Sequence, residues 1–309
     1  MKLVFYDDCK LGAVSGDTVV DLSGAVSEIR HTSPQDLLNQ LIEDFPRYRG
    51  ALEEQINRGS GVPLSQVRLR SPLPHPNNIV AMAVNYMEDG TRAEPAPINA
   101  FHKSANSVIG DGDTMVLPDV PATIFEGEAE MGLVIGKRAS CVKAEDAYDY
   151  IFGYFNFIDG SARGLPPAGN TFYQMKSRET FAPMGPWLVT ADEISDPDNL
   201  QLRLWVNEEL KQNFNTSDMA HKIPRIIEWV SSIHTLEPGD VIATGTNHRG
   251  LSAFQDGDHI DLEVDGLGTL HFNVKDDLKR TWLRETRLER ADKGLEGTTP
   301  QISGKYASS

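Results

Sequence analysis

The sequence predicts a mixed, β-rich α+β protein, because turn-and-strand units dominate it and helical segments are few. A turn followed by an apolar strand recurs after residue 74, which is typical of a β-rich roll or sandwich. The clearest copies are Asp111-Gly112-Asp113 before residues 114–117, Pro238-Gly239-Asp240 before residues 241–244, and Asp256-Gly257-Asp258 before residues 259–264. Helices are expected at residues 144–151 and from a cap at Ser217 and Asp218 to about His234.

The first 73 residues predict a separate small α+β domain. Residues 1–6 and 17–22 have the composition of short strands around a turn, and residues 34–52 carry leucine and isoleucine at helical spacing. The proline- and asparagine-rich stretch at residues 71–78 is the predicted linker. Residues 74–285 then form the main domain, and residues 286–309 form a polar C-terminal tail.

Charge and composition argue against several kinds of partner. With 309 residues and a formal net charge of −16, the protein is too acidic to favour a nucleic acid or an anionic membrane surface. No apolar stretch approaches the ~18 residues of a membrane span, and the N-terminus turns acidic without a signal-peptide core, so a cytoplasmic location is expected. Cys9 and Cys141 form no CxxC pair, which argues against a disulfide framework or a zinc site.

Three glutamates alternate along one predicted strand, at Glu126, Glu128 and Glu130, and an apolar run follows them. Alternate residues of a strand point to the same face. If that face were buried, the carboxylates would repel one another and would lose their solvation. A hard divalent cation with oxygen ligands relieves both problems. The alternative is a solvated edge strand whose charges oppose aggregation, and the pattern alone leaves both interpretations open.

Six short motifs follow one another along the chain. They are Asn85-Tyr86, Glu128-Ala129-Glu130, Asp159 to Arg163, Lys176-Ser177, Gly185-Pro186-Trp187 and Gly239 to Thr246. Each is weak by itself, but in this order, across roughly residues 74–285, they resemble the fumarylacetoacetate hydrolase family. The resemblance implies a β-sandwich roll for this catalytic domain, usually in a homodimer.

The resemblance also implies a metal site. Its ligands would be Glu128, Glu130 and the distant Asp159, and the ion would be Mg²⁺, with Mn²⁺ or Ca²⁺ as alternatives. Glu126 lies outside the family's pattern and is expected to be a charge at the rim. Some members use a further carboxylate after the Asn-Tyr pair, which would be Glu88 here.

Substrate-handling roles follow from the same resemblance. Lys176 would support an enolate or an oxyanion, and the alternative is an ordinary surface lysine. Arg163 would clamp a substrate carboxylate, and the alternative is a salt bridge to a neighbouring acid. Thr246 and Tyr86 would contact the substrate.

The chain departs from the family at the position of the expected catalytic histidine. Hydrolytic members usually carry Asn-Tyr-x-x-His, and Asp89 stands at that histidine's place. An aspartate starts at a pKa of ~3.9 against about 6.5 for histidine, so Asp89 can act as a base only if burial or the adjacent Glu88 raises its pKa. Glu94 and His102 are the alternatives. In addition, the family's final Thr-Pro has become Thr246-Asn247.

The resemblance implies a metal-dependent hydrolase. The reaction would cleave a C–C bond next to a carbonyl in an acylpyruvate, or in a related 1,3-dicarbonyl or 2-oxo acid, through a metal-stabilised enolate. Isomerisation, hydration or decarboxylation of an unsaturated 2-oxo acid would need the same enolate but no attack by water. A third possibility is a catalytically silent protein that binds the metal and an oxo acid.

Overall fold

The computed structural model of the protein describes residues 1–167, 169 and 172–307. The strands are β1 Lys2–Tyr6, β2 Lys10–Ser15, β3 Thr18–Asp21, β4 Val62–Pro63, β5 Leu69–Arg70, β6 Ile79–Met82, β7 Ala100–His102, β8 Val108–Ile109, β9 Thr114–Val116, β10 Ile124–Ile135, β11 Ile151–Arg163, β12 Ala182–Thr190, β13 Gln201–Val206, β14 Glu209–Asn215, β15 Val241–Ala243, β16 His259–Val264, β17 Gly268–Lys275, β18 Thr281–Trp282 and β19 Gln301–Ser303. The α-helices are α1 Pro34–Glu43, α2 Phe45–Arg58, α3 Phe172–Lys176, α4 Ile223–Ile233 and α5 Arg287–Asp292. Among the described residues, no helix has the length and apolar character needed to cross a membrane.

Two large sheets and a two-stranded one, β18-β19, form the architecture, which confirms the predicted β-rich α+β class. The larger sheet has 12 strands with the main order β4-β3-β2-β1-β12-β11-β10-β15-β6-β7, while β5 pairs with β1 and β8 with β12. The smaller sheet has five strands in the order β14-β13-β16-β17-β9. One apolar core joins them, because Leu133 and Ile158 of the larger sheet belong to the same buried cluster as Leu262 and Phe272 of the smaller one.

The turn chemistry predicted the strand starts well and the helix bounds less well. Strands β9, β15 and β16 follow the three predicted turns. The predicted helix 34–52 is two helices, α1 and α2, because Asp44 leaves helical geometry and Pro46 in the first turn of α2 offers no N–H to continue α1. Helix α4 begins at Ile223, later than the predicted cap, and residues 216–218 form a separate 3₁₀ turn.

Strands of the predicted small domain share the larger sheet with the rest of the chain, since Leu3 of β1 pairs with Leu188 of β12. Because the two segments share one sheet, a separate domain ending at residue 73 stays a prediction. In the C-terminal tail, α5 carries a capping box formed by Thr286 and Glu289, and β19 pairs with β18. The last two residues of the tail lie outside the described residues.

Strand β10, which carries the three glutamates, lies inside the larger sheet between β11 and β15. All of its residues are buried. The alternative of a solvated edge strand is therefore wrong, because β11 pairs along β10, β15 pairs with residues 132–134, and the three glutamates themselves are buried.

Close packing of β11 against β12 gives a first testable prediction. A Cβ atom added at Gly153 would overlap with the backbone carbonyl oxygen of Val189, and backbone in a paired strand cannot move aside easily. We expect Gly153→Ala to lower the free energy of unfolding by about 1–3 kcal/mol, measured by urea denaturation.

A matched control is available in α2. Gly50 is helical, and nothing lies within 4 Å of the Cβ that alanine would add. Gly50→Ala is therefore expected to raise stability by about 0.5–1 kcal/mol. Equal effects of the two substitutions would contradict the packing described for β11 and β12.

Candidate metal centre and active site

Pairing of β10 with β11 brings the predicted metal ligands together. In the antiparallel register Glu128 lies directly opposite Asp159, and Glu130 is two residues further along the same face. One carboxylate oxygen from each of the three side chains lies within 4.8 Å of the others. The residues that were thirty positions apart in sequence are thus one buried cluster, although their roles as ligands stay a prediction.

Two buried lysines accompany the cluster. Lys176 Nζ donates to Glu128 Oε1 at 2.7 Å and to Asp159 Oδ2 at 2.6 Å. Lys103 Nζ donates to Asp159 Oδ1 at 2.6 Å and also bonds the backbone carbonyls of Gly160 and Lys176. The alternative of Lys176 as a surface lysine is wrong, since its side chain is only 3% exposed.

Glu130 is the carboxylate of the cluster to which neither lysine bonds among the described residues. Its surroundings therefore indicate whether a metal ion would fit the site. Its Oε2 accepts the backbone N–H of Gly245 at 2.7 Å, but its Oε1 is buried without a hydrogen-bond partner among the described residues. Burial, together with the charges of Asp159 and Glu128, raises the pKa of Glu130 well above its usual value. An oxygen ligand set with one unsatisfied buried oxygen is what a hard divalent ion requires, so the residues fit such an ion.

Glu126 is buried, so its predicted place as a rim charge is wrong. Its side chain is 1% exposed, and it pairs with Arg163 Nε at 2.6 Å and with Arg287 Nη2 at 2.5 Å. The two arginines hold the pKa of Glu126 below its ordinary value in spite of its burial, which acts in the other direction. Glu126 therefore fastens α5 of the C-terminal tail to the central strand beside the metal centre.

Arg163 and Thr246 both lie against this strand. Arg163 bonds Glu128 as well as Glu126, so the salt-bridge alternative is the arrangement observed, and contact with a substrate stays a prediction. Thr246 is buried and accepts a hydrogen bond from Gln212 Nε2 at 2.9 Å. The side-chain amide oxygen of Gln212 accepts a hydrogen bond from the backbone N–H of Ala129. Gln212 therefore connects the loop of Thr246 to β10.

Tyr86 lies in the core below the centre. Its ring packs edge-on against Phe214 at 5.0 Å, and the residue is completely buried. Burial, followed by the nearby charge of Glu130, raises the pKa of Tyr86 well above its usual value. Tyr86 is therefore a neutral hydroxyl close to the carboxylates, and its contact with a substrate stays a prediction.

The two acidic residues after Tyr86 have different surroundings. Glu88 is buried and accepts two hydrogen bonds from His248, from Nδ1 at 2.7 Å and from the backbone N–H at 2.9 Å. The Asp89 side chain is 53% exposed and faces Arg249 at 3.7 Å. The alternatives Glu94 and His102 are both exposed, and the ring of His102 lies beside that of His234.

Sequence reasoning overlooked two residues of this region, Lys103 and His248. Lys103 follows β7 at an alternate position to Phe101, so strand periodicity could have marked it as inward-facing. His248 follows Asn247, which replaces the family's proline. The Asn247 side chain accepts the N–H of Arg249 at 3.0 Å and starts the 3₁₀ turn 248–250, so that departure was the available signal.

The ion pair between Glu126 and Arg287 of the C-terminal tail gives a second prediction. Glu126→Gln would leave Arg163 and Arg287 opposite a neutral amide, and loss of one partner of a buried ion pair costs about 3–5 kcal/mol. We expect that loss in urea unfolding, together with faster proteolysis after residue 286.

The matched change Arg203→Gln breaks the partly exposed pairs with Glu263 and Asp265, and its effect should stay within about 1 kcal/mol. Similar losses in both variants would contradict the role of Glu126.

Comparisons with known proteins agree with this geometry. The family model "Fumarylacetoacetate (FAA) hydrolase C-terminal" matches residues 78–275. The chain is 33% identical over 291 residues to a maleylpyruvate hydrolase of Aquipseudomonas alcaligenes, over 89% of this chain and 99% of the relative. It is 39% identical over 219 residues to the oxaloacetate tautomerase YisK of Bacillus subtilis (strain 168), over 67% of this chain and 73% of the relative.

A solved structure is similar over nearly the whole chain. The crystal structure of maleylpyruvate hydrolase from Sphingobium sp. SYK-6, in complex with manganese(II) and pyruvate, aligns with a TM-score of 0.81 and 36% identity, over 89% of this chain and 99% of that one. Fold and carboxylate cluster together define a β-rich α+β protein with three buried carboxylates that could hold a divalent metal ion. The chain belongs to the fumarylacetoacetate hydrolase family, a family of enzymes.

Proposed function

We propose that this protein is a metal-dependent hydrolase that cleaves a C–C bond next to a carbonyl in an acylpyruvate or a related 1,3-dicarbonyl or 2-oxo acid. The observation that carries the proposal is the buried cluster of Glu128, Glu130 and Asp159 with Lys176 bonded to two of its members. The similarity to maleylpyruvate hydrolases over almost their full length supports hydrolysis as the reaction.

The three carboxylates would hold Mg²⁺, or Mn²⁺ as in the similar structure. When bound, such an ion supplies Lewis-acid stabilisation of negative charge on the oxygens of a 2-oxo acid. The protein as a whole is strongly acidic, so an anionic substrate also needs local positive charge.

Lys176 and Arg163 are proposed to supply that local charge. Both are held by Glu128, so their positions are fixed before the substrate arrives. Lys176 would face the oxygen on which negative charge develops, and Arg163 would orient a carboxylate by its planar guanidinium group.

Thr246 and Tyr86 are proposed to contact the substrate through their neutral hydroxyl groups. Glu88 and Asp89 are proposed to belong to the water-activating end of the site.

A second function, tautomerisation or isomerisation of a 2-oxo acid, is favoured by one specific observation. YisK, an oxaloacetate tautomerase, is 39% identical to this chain. That reaction moves a proton between carbon and oxygen and needs no attacking water, so the same cluster could serve it. Hydrolysis remains the first proposal because the similarity to the maleylpyruvate hydrolase covers more of both chains.

The test is a product analysis with purified protein loaded with Mg²⁺ or Mn²⁺. A panel of acylpyruvates, unsaturated 2-oxo diacids and oxaloacetate is incubated with it, and products are identified by mass. Hydrolysis predicts two fragments whose formation stops in EDTA and returns with metal. One product of unchanged carbon count would establish the isomerase alternative, and metal-dependent binding without turnover would establish a silent protein. We also propose the homodimer usual for the family, which light scattering tests.

A further inference from the structure

We propose that His248, oriented by Glu88, is the general base that activates water in this protein. The inference rests on the proposed hydrolytic function and identifies a group for the position at which Asp89 replaces the family's histidine.

The backbone that presents Glu88 is unusual. Glu88 and Asp89 both have left-handed geometry, with φ of 56° and 54°, although neither is glycine. The turn is held by Asp218, whose backbone oxygen accepts the N–H of Met87 at 2.9 Å and whose carboxylate accepts the N–H of Asp89 at 3.1 Å. Such strained turns persist where the surroundings fix them, and they are frequent at functional sites. Here the turn directs Glu88 inward and leaves Asp89 at the surface.

The contacts of His248 define its protonation pattern. Its Nδ1 lies 2.7 Å from Glu88 Oε1, and a carboxylate can only accept, so the hydrogen belongs to Nδ1. Its backbone N–H bonds the other oxygen of the same carboxylate at 2.9 Å. The lone pair is then on Nε2, which has no hydrogen bond within the part of the chain that the structure describes. This is the arrangement of a histidine base oriented by a carboxylate.

The position of His248 connects it with the metal centre. It lies three residues after Gly245, whose N–H bonds Glu130, and Gln212 donates to both Thr246 and the carbonyl of Asn247. The loop that carries His248 is thus bonded to Glu130 of β10 through the N–H of Gly245.

A cleft of about 590 Å³ opens beside this pair, large enough for a small oxo acid and water. Its lining includes Glu88, His248, Arg92, Arg249 and Arg287. The His248 side chain is 20% exposed, so its ring meets the cleft and is not enclosed in the core. Asp292 also lines the cleft, so its three arginines face two carboxylates, and Arg287 already pairs with Glu126.

With an acylpyruvate as the substrate, the proposed reaction begins with the deprotonation of water. Nε2 of His248 takes a proton from water, and the hydroxide oxygen bonds to the acyl carbonyl carbon. The C–C bond between that carbon and the methylene then breaks, and its electron pair passes to the pyruvate enolate. The proton on Nε2 returns to the methylene carbon, so one water and one acylpyruvate yield a carboxylic acid and pyruvate, and His248 is neutral again.

The experiment compares His248→Asn, Glu88→Gln and Asp89→Asn in the full-length, Mn²⁺-loaded protein. Asparagine at position 248 keeps a donor near Glu88 but has no basic nitrogen. We expect kcat for acylpyruvate cleavage to fall about 10²–10⁴-fold in His248→Asn, with Mn²⁺-dependent binding of oxalate within threefold of wild type by calorimetry. Asp89→Asn should lower kcat by less than His248→Asn does.

Two further measurements separate a base from a structural residue. Imidazole added to His248→Ala should restore cleavage in proportion to its free-base concentration. In Glu88→Gln, ¹⁵N spectra of the His248 ring should lose the single Nδ1-H tautomer while oxalate still binds, which is expected of a positioning residue.

The outcomes distinguish this inference from the proposed function. If the wild-type protein cleaves acylpyruvates and His248→Asn does so at a similar rate, the base is another group, whereas the hydrolase proposal stands. Loss of activity in Asp89→Asn with full activity in His248→Asn would overturn the inference in favour of Asp89. If the wild type makes no fragments from any substrate of the panel, the proposed function itself fails.

Discussion

Replacing Asp159 by asparagine is expected to abolish divalent-ion binding and, with it, turnover. Asp159 lies opposite Glu128 in the register of β10 and β11, and one of its oxygens belongs to the carboxylate cluster. Asparagine keeps the shape and one oxygen, but it removes the negative charge that a hard cation needs. Because loss of a residue that merely supports a ligand weakens metal affinity about 10–100-fold, we expect more than about 100-fold here. Mn²⁺ titration followed by electron paramagnetic resonance measures it.

Asparagine is a better test than alanine at position 159, because Lys103 and Lys176 both bond to Asp159. Asp159→Ala would leave Lys103 and Lys176, both buried, without one of their partners, which destabilises the fold whether or not a metal binds. The matched control is Asp276→Asn, which neutralises a completely buried aspartate bonded to Arg280 at 2.9 Å. That variant should lose stability but keep its Mn²⁺ affinity. Tight Mn²⁺ binding by Asp159→Asn would refute the metal centre.

Replacing Lys176 by methionine is expected to separate metal binding from catalysis. Methionine fills a similar volume without the charge, and the neighbouring carboxylates of Glu128 and Asp159 then attract a cation more strongly. We therefore expect Mn²⁺ to bind at least as tightly as in the wild type. Turnover should still fall about 10²–10³-fold, the usual effect of losing one preorganised donor to a developing negative charge.

The control for this change is another buried lysine. The Lys211 side chain is 2% exposed, and its Nζ bonds Glu209 at 2.8 Å and the carbonyl oxygen of Arg284 at 2.9 Å. Lys211→Met should reduce stability but leave kcat per folded molecule within a few-fold of wild type. Equal losses of turnover in the two variants would mean that Lys176 acts through folding and not through the reaction.

Much of the fold was accessible from local sequence. Glycines between aspartates predicted the starts of β9 and β16, because Gly112 and Gly257 have the left-handed geometry that such turns need. Helix bounds were less accurate. The break between α1 and α2 falls at Asp44 and Pro46, and the spacing of apolar residues along 34–52 does not reveal it.

The carboxylate cluster of the candidate site was predictable, but the pair of His248 and Glu88 was not. Alternation placed Glu128 and Glu130 on one face, and the resemblance supplied Asp159, Lys176 and Arg163. Lys103 and His248 were missed because each reaches the site from a loop whose direction is set by contacts far along the chain. Glu126 was misjudged for a similar reason, since Arg287, one of its partners, is 161 residues away.

The sequence by itself determined the β-rich class, the turn positions, the family and the identity of the carboxylates, because these depend on side-chain chemistry and on spacing within single strands. Only the tertiary structure decided that the strand of glutamates is central and buried, that Lys103 bonds Asp159 and Lys176 bonds Glu128, and that His248 meets Glu88. Those contacts join segments from 48 to 160 residues apart. These contacts depend on how the two sheets pack against each other, and no local sequence pattern predicts them.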